Sequence, residues 1–232
     1  MAFDKDLNII HSEQKEYPLI YPNDGWVEIA PEELMSSVYA TIDPVIEACS
    51  DISAIGITNQ RETTLVWDAD SGEPIYNAIV WQDRRTAEQC MQLKKAGHEE
   101  AIKNATGLLL DPYFSSTKIS WILDNVDGAR KRAEAGKLRF GTVDTYLLWQ
   151  LTHGEIYKTD VTNASRTNLY NIHLKEWDSE LLKIFNIPRS MLPEVQSSDS
   201  NYGTLVRGNK TCLLYTSPSP RDATLSRMPS SA

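Results

Sequence analysis

Apolar positions follow two rhythms along the chain. At residues 52–58, 64–67 and 78–81 they run together over strand-length segments, and Asp70-Ser71-Gly72 marks a turn between the last two. Runs that are apolar on both faces predict strands buried on both sides. Elsewhere the spacing is helical. Leu34, Val38, Ile42 and Val45 line one face of a segment opened by Pro31, Glu32 and Glu33, where proline suits the first turn and carboxylates suit the positive end of the dipole. Pro44 within that face predicts a kink or a split.

Ile119, Ile122, Leu123 and Val126 repeat the pattern before Gly128. Residues 84–96 read as a helix with Ala87, Cys90 and Met91 inward and Gly97 as its stop. Residues 8–16 and 139–143 read as extended, Asp144 as the cap of a helix through Leu147, Leu148 and Leu151, and Leu181, Leu182 and Phe185 as a last short helix closed by Pro188. Strands alternating with helices give an α/β layer fold.

Composition narrows the function. The chain has 232 residues, 41% hydrophobic and 24% charged, enough apolar material for a substantial core. Lys plus Arg is 23 against 32 for Asp plus Glu, a formal charge of −9, with no basic stripe to meet nucleic acid or anionic lipid. No apolar run is long enough for a membrane span, and charged residues occupy the place of a secretory signal's apolar stretch. Cys49, Cys90 and Cys212 are few, odd in number and far apart, which fits a reducing compartment. A cytoplasmic location is therefore expected.

No GxxxxGK[ST] loop, GxGxxG fingerprint or GxSxG elbow occurs, and His11, His98, His153 and His173 share no metal-ligand spacing. Three segments stand out instead. In Gly56-Ile-Thr-Asn-Gln-Arg-Glu-Thr-Thr64, Arg61 and Glu62 lie just past the C-terminal end of an apolar strand, where open α/β sheets bind ligands. Adjacent fixed donors and acceptors suit hydroxyls that both donate and accept, though a surface ion pair reads equally well. Trp81 ends another apolar run; its indole serves either as core or as cover for the carbon face of a small polyol. Tyr113, in Asp111-Pro-Tyr-Phe-Ser115, offers a phenol from a loop before a helix. Asp144 and Asp160 sit in polar segments that read as cap and turn, and spacing alone does not make either a metal ligand.

Taken in order, these segments resemble the FGGY carbohydrate kinase family, and within it the members that phosphorylate glycerol. The resemblance runs from about Phe3 to about Lys210. It includes GWVE at Gly25 to Glu28, AIGITNQRETT at Ala54 to Thr64, PIYNAIVWQ at Pro74 to Gln82, DPYFS at Asp111 to Ser115, FGTVDT at Phe140 to Thr145, TDVTNASRTNLYNIH at Thr159 to His173 and MLPEV at Met191 to Val195. It implies an α/β, actin-like (ribonuclease H-like) FGGY N-terminal domain over residues 1–210. It implies that Arg61, Glu62 and Tyr113 bond glycerol's hydroxyls and that Trp81 packs on its carbons. For the complete enzyme it implies ATP and Mg²⁺ and allows a homo-oligomer.

The departures carry expectations too. The family's first strand and its Asp-x-Gly-Thr-Thr phosphate hairpin have no counterpart here. The catalytic base, an Asp of a Gly-Asp-Gln motif, is expected beyond residue 210, where this chain reads differently, so no residue present is assigned as catalytic. Turnover by the chain alone is not expected. From Thr211 to Ala232, eight of 22 residues are Ser or Thr and three are Pro, the composition of a disordered tail. The stretch Cys212 to Asp222 resembles translated adapter sequence, so no function is expected of it. Two other readings stay open: a non-catalytic polyol-binding or interaction module, and a kinase for another sugar. A nuclease placing Glu62, Asp144 and Asp160 on metal is disfavoured by the acidic charge.

Overall fold

The structure is a computed structural model that describes residues 1–49, 51–207 and 210–216. The chain opens with a two-stranded hairpin, β1 (Ala2–Phe3) and β2 (Ile9–His11), and continues through β3 (Glu28–Ile29) into helix α1 (Pro31–Ala48). Strands β4 (Ala54–Ile57), β5 (Leu65–Asp68) and β6 (Ala78–Ile79) follow, then helices α2 (Ala87–Lys95), α3 (Glu99–Thr106), α4 (Ser115–Asn125) and α5 (Ala129–Glu134). Next come β7 (Leu138–Gly141), α6 (Val143–Leu151), β8 (Lys158–Asp160), α7 (Val161–Ala164), β9 (Tyr170–Asn171), β10 (Glu176–Trp177) and α8 (Ser179–Ile184). The described chain ends with β11 (Glu194–Gln196), β12 (Thr204–Arg207) and β13 (Lys210–Thr216).

Strand β5 shows why the apolar runs read as two-sided. It pairs antiparallel with β7, Leu65 opposite Gly141 and Asp68 opposite Leu138. Val66 points into one apolar cluster with Ile79, Ile119, Ile122, Leu138 and Phe140. Leu65 and Trp67 point into a second, with Ala78, Val80, Tyr146 and Leu148. Alternate side chains of β5 and β6 thus feed opposite cores, as the period of two requires. Helices α4 and α5 cover one face, and α1 and α6 the other. Gly141 permits the close approach of β7 to α6: a Cβ there would lie 2.6 Å from Thr145 Cβ and 2.8 Å from Trp67 Cη2.

Several expectations need correction. β4 is not buried on both faces: Ala54 and Gly56 are exposed, while Ile57 is buried and Ile55 half-buried. One of its faces is simply not covered. Pro44 does not split α1, which runs continuously from Pro31 to Ala48. Thr41 Oγ1, one turn earlier, donates to the carbonyls of Ser37 and Val38, while the proline removes only the bond to the carbonyl four residues before it, and the helix continues through that single missing bond. Met91 is exposed, because it lies a 100° step away from the buried Cys90 around α2. That helix begins at Ala87, leaving Asp83, Arg84 and Arg85 in a turn. Asp144 is not a cap: Thr142 holds that position and Asp144 lies inside the first turn of α6.

The expectation of a tail from residue 211 also fails for its first six residues. Residues 211–216 complete β13, which lies between β12 (antiparallel) and β4 (parallel), with Leu213 opposite Ala54 and Thr216 opposite Ile57. Cys212, Leu214 and Thr216 are buried while Thr211 and Leu213 are exposed. That alternation of one buried face suffices to seat a strand, whatever the Ser and Thr content around it. Residues 217–232, on which the rest of that expectation falls, lie outside the described residues.

Candidate functional site

The turn after β4 places Glu62 in a left-handed backbone conformation, φ +68°. For a residue with a Cβ this costs roughly 1–3 kcal/mol and persists only where surroundings enforce it. Here they do. The Glu62 carbonyl accepts from Thr64 Oγ1 at 3.1 Å, Ser115 Oγ at 3.2 Å and Lys118 Nζ at 3.4 Å. Its side chain is almost wholly buried, and Oε1 accepts from Arg166 Nε at 2.6 Å.

Arg166 connects that carboxylate to the loop before α4. Its guanidinium lies 5.6 Å from the ring centroid of Tyr113 and 4.9 Å from that of Phe114. Tyr113 in turn meets Trp81, ring centroids 5.4 Å apart and tilted by 59°. Asp111 shapes this loop: its Oδ1 accepts from Tyr113 N and from Arg84 Nη1, each at 2.9 Å. Lys118 Nζ donates to the Tyr113 carbonyl at 2.7 Å.

Of the four residues singled out in the sequence, Glu62, Trp81 and Tyr113 therefore belong to one connected patch, and half-buried Arg61 adjoins it in the turn. Two further members went unnoticed. Arg166 lies 104 residues from Glu62, in a segment marked only by its polar richness. Lys118 left a fainter signal. It shares a helical face with Ser115 and Ile122, so a charge falls on a buried stripe.

A second polar cluster lies beyond the C-terminal end of β4. Asp144, wholly buried, accepts from Thr159 Oγ1 at 2.7 Å, from Asn59 Nδ2 at 3.5 Å and from the Thr142 hydroxyl. Asp160 caps α7, accepting from Asn163 N at 2.8 Å, and also takes the Thr162 and Ser198 hydroxyls. Asn59 Nδ2 bonds Asn163 Oδ1 at 3.0 Å. Among the described residues no group of three or more His, Cys, Asp or Glu side chains could hold a metal. The oxygens of Asp144 and Asp160 are occupied by hydroxyl and amide donors, and Glu62 is paired with Arg166. Nothing in this donor set fits the metal-dependent nuclease reading.

Burial, and next the Asp160 carboxylate, push the Asp144 carboxyl up from 3.8 to about 6. The folded state therefore binds a proton that the unfolded state releases between those values, and stability falls as pH rises through that window. Between pH about 4 and about 6 the expected loss is on the order of 2 kcal/mol. Asp144→Asn is expected to flatten this slope in urea titrations at several pH values. An unchanged slope would assign it to other groups.

The comparisons with known proteins agree with one another. A sequence profile described as the N-terminal domain of the FGGY family of carbohydrate kinases matches residues 1–213. The chain is 55% identical over 214 residues to a glycerol kinase of Haemophilus influenzae, covering 90% of this chain and 42% of that protein. It is 55% identical over 207 residues to a glycerol kinase of Xanthomonas campestris pv. campestris, covering 88% and 42%. The crystal structure of Plasmodium falciparum glycerol kinase with ADP superposes with a TM-score of 0.87 at 36% identity, over 92% of this chain and 45% of that one. Ligand-bound xylulose kinase from Lactobacillus acidophilus, at 21% identity and a TM-score of 0.81 over 92% and 44%, shares the fold. The chain thus spans less than half the length of the curated relatives it matches.

Proposed function

The chain belongs to the FGGY family of carbohydrate kinases, and on that premise we propose that it supplies the acceptor-binding side of a glycerol kinase. What carries the reading is the convergence of the Glu62 carboxylate, the Arg166 guanidinium, the Tyr113 phenol and the Trp81 indole on one patch, with Arg61 in the same turn. Glycerol offers three hydroxyls on a short carbon chain. Glu62 accepts from hydroxyls, Arg61 donates to them, Tyr113 adds a polar contact, and Trp81 covers the carbon face. The identity to glycerol kinases, well above that to the xylulose kinase, supports glycerol over a pentulose.

For the whole protein the proposed reaction moves the γ-phosphoryl of ATP to a terminal hydroxyl of glycerol, giving ADP and glycerol 3-phosphate. Such transfer depends on positioning and on neutralisation of charge. The residues of this chain contribute positioning: the carboxylate and guanidinium fix two hydroxyls, and the aromatic pair keeps water from the carbon face. The whole enzyme is proposed to use ATP with Mg²⁺ in the cytoplasm. Among the described residues no group of three or more His, Cys, Asp or Glu side chains is placed to hold a metal ion. No described helix is long and apolar enough to cross a membrane.

The test is direct binding to the 232-residue chain. Saturation-transfer NMR and Trp81-dependent fluorescence should register millimolar glycerol and give weaker responses to xylulose and gluconate. A stronger response to either sugar would move the assignment to another acceptor, and no response to any of the three would remove the polyol reading.

A further inference from the structure

Lys118 is buried in the first turn of α4, and both acceptors of its amine are backbone carbonyls: Tyr113 O at 2.7 Å and Glu62 O at 3.4 Å. Those carbonyls belong to different segments, the turn after β4 and the loop before α4. Each belongs to a residue proposed above to touch the acceptor. Thr64 and Ser115 also donate to the Glu62 carbonyl, and Arg166 links the Glu62 carboxylate to the Tyr113 ring, but among the described residues it is Lys118 that hydrogen-bonds both backbone carbonyls. We propose that Lys118 is the positioning residue of the acceptor site, setting the separation of Glu62 and Tyr113 and thereby the length of polyol that fits between them. The proposal rests on the glycerol-binding reading and adds to it a determinant of chain-length specificity.

The chemistry of the bridge suits an amine. Two carbonyls match the two N–H groups of a neutral amine, and a four-carbon stem spans the segments without filling the site. Burial pulls the Lys118 amine down from 10.5 to about 7, against the attraction of Glu62, Asp83 and Asp111 and with the repulsion of Arg85. The bridge does not need the charge, since a neutral amine still donates to both carbonyls. A depressed amine leaves the unfolded chain holding a proton that the folded chain lacks, so this group's contribution to stability rises with pH from about 7 to 10.5. That window is separate from the one set by Asp144.

The experiment compares wild type, Lys118→Met and Ser115→Ala by titration with glycerol and with the longer polyols erythritol and xylitol. Methionine keeps the length and removes the donors. Lys118→Met should lose about tenfold in glycerol affinity and also most of the preference for glycerol over xylitol. Ser115→Ala, which removes a donor from the same carbonyl without touching Tyr113, should keep that preference. A Lys118→Met protein that binds more weakly with unchanged preference, or one only less stable, would overturn the proposal. Wild type failing to bind any polyol would instead sink the underlying reading, so the two failures are distinguishable. Should Lys118→Met not fold, lysine-selective NMR of wild type decides: the Lys118 resonance should shift on glycerol addition and stay still with xylitol. No shift with glycerol would again overturn the proposal.

Discussion

Arg85→Met is expected to destabilise the chain by about 3–5 kcal/mol, measured by urea denaturation, because it strands two buried carboxylates. The Arg85 side chain has no exposed surface, and Nη2 lies 2.7 Å from Glu28 Oε1 and 2.8 Å from Asp83 Oδ2, themselves almost fully buried. Its guanidinium stacks 3.9 Å from the Trp26 centroid and 4.5 Å from that of Trp121. Glu28 also takes Tyr76 Oη at 2.7 Å and Asn77 Nδ2 at 2.8 Å, while Asp83 Oδ2 accepts Val27 N at 2.6 Å. The network pins the loop around Gly25 and Trp26 to the end of β6, and so holds the segment that carries Trp81.

Removing the cation leaves this acceptor-rich pocket charged and unpaired. Typical domain stability is only about 5–15 kcal/mol, so one substitution takes a large share of it. Arg85→Lys keeps the charge but loses the planar fork that serves both carboxylates and stacks on the indoles, and should fall between wild type and Met. The exposed pair Lys183 with Glu180 is the control: its removal should cost no more than about 1 kcal/mol. If Arg85→Met cost no more than that control, the network would add nothing to stability.

The second large effect separates binding from folding. Glu62→Gly is expected to weaken glycerol binding by about 10- to 100-fold, the range for a charged hydrogen bond, while changing stability by no more than about 1 kcal/mol. Glycine relieves the cost of φ +68°. The carbonyl keeps its three donors, and Arg166, part exposed, turns to water. Most losses of binding in a well-packed site come with loss of stability. Here strain at the functional residue predicts the opposite pairing, readable by titration and urea denaturation on the same protein. A Glu62→Gly chain that binds glycerol like wild type would remove Glu62 from the acceptor site.

The same contrast between local and distant interactions explains what could be read beforehand. Strands β5 and β6 and helices α4 and α8 announced themselves, because each draws its signal from consecutive or helically spaced apolar residues. Helices α3 and α5 did not. Of α3's eight residues only Ile102 and Thr106 are buried, too few to form a stripe. In the site, Glu62 was conspicuous because it follows an apolar run, Trp81 because it ends one, and Tyr113 because its loop precedes a helix. Arg166 and Lys118 were inconspicuous because their meaning lies in partners 104 and 56 residues away. Asp144 looked like a cap and is instead a buried acceptor, since a helix signal does not say which side of the first turn faces the core.

By itself the sequence determined the α/β class, the two-sided burial of β5 and β6, and the family, because periodicity and ordered motifs are properties of neighbouring residues. Only the tertiary structure decided that β13 sits between β12 and β4, that Arg85 is enclosed by acids and indoles, and that Lys118 joins Glu62 to Tyr113. Those facts depend on distance in space. A hydrogen bond is formed or lost within a few tenths of an ångström, and no local pattern along the chain records which carbonyl a lysine will reach.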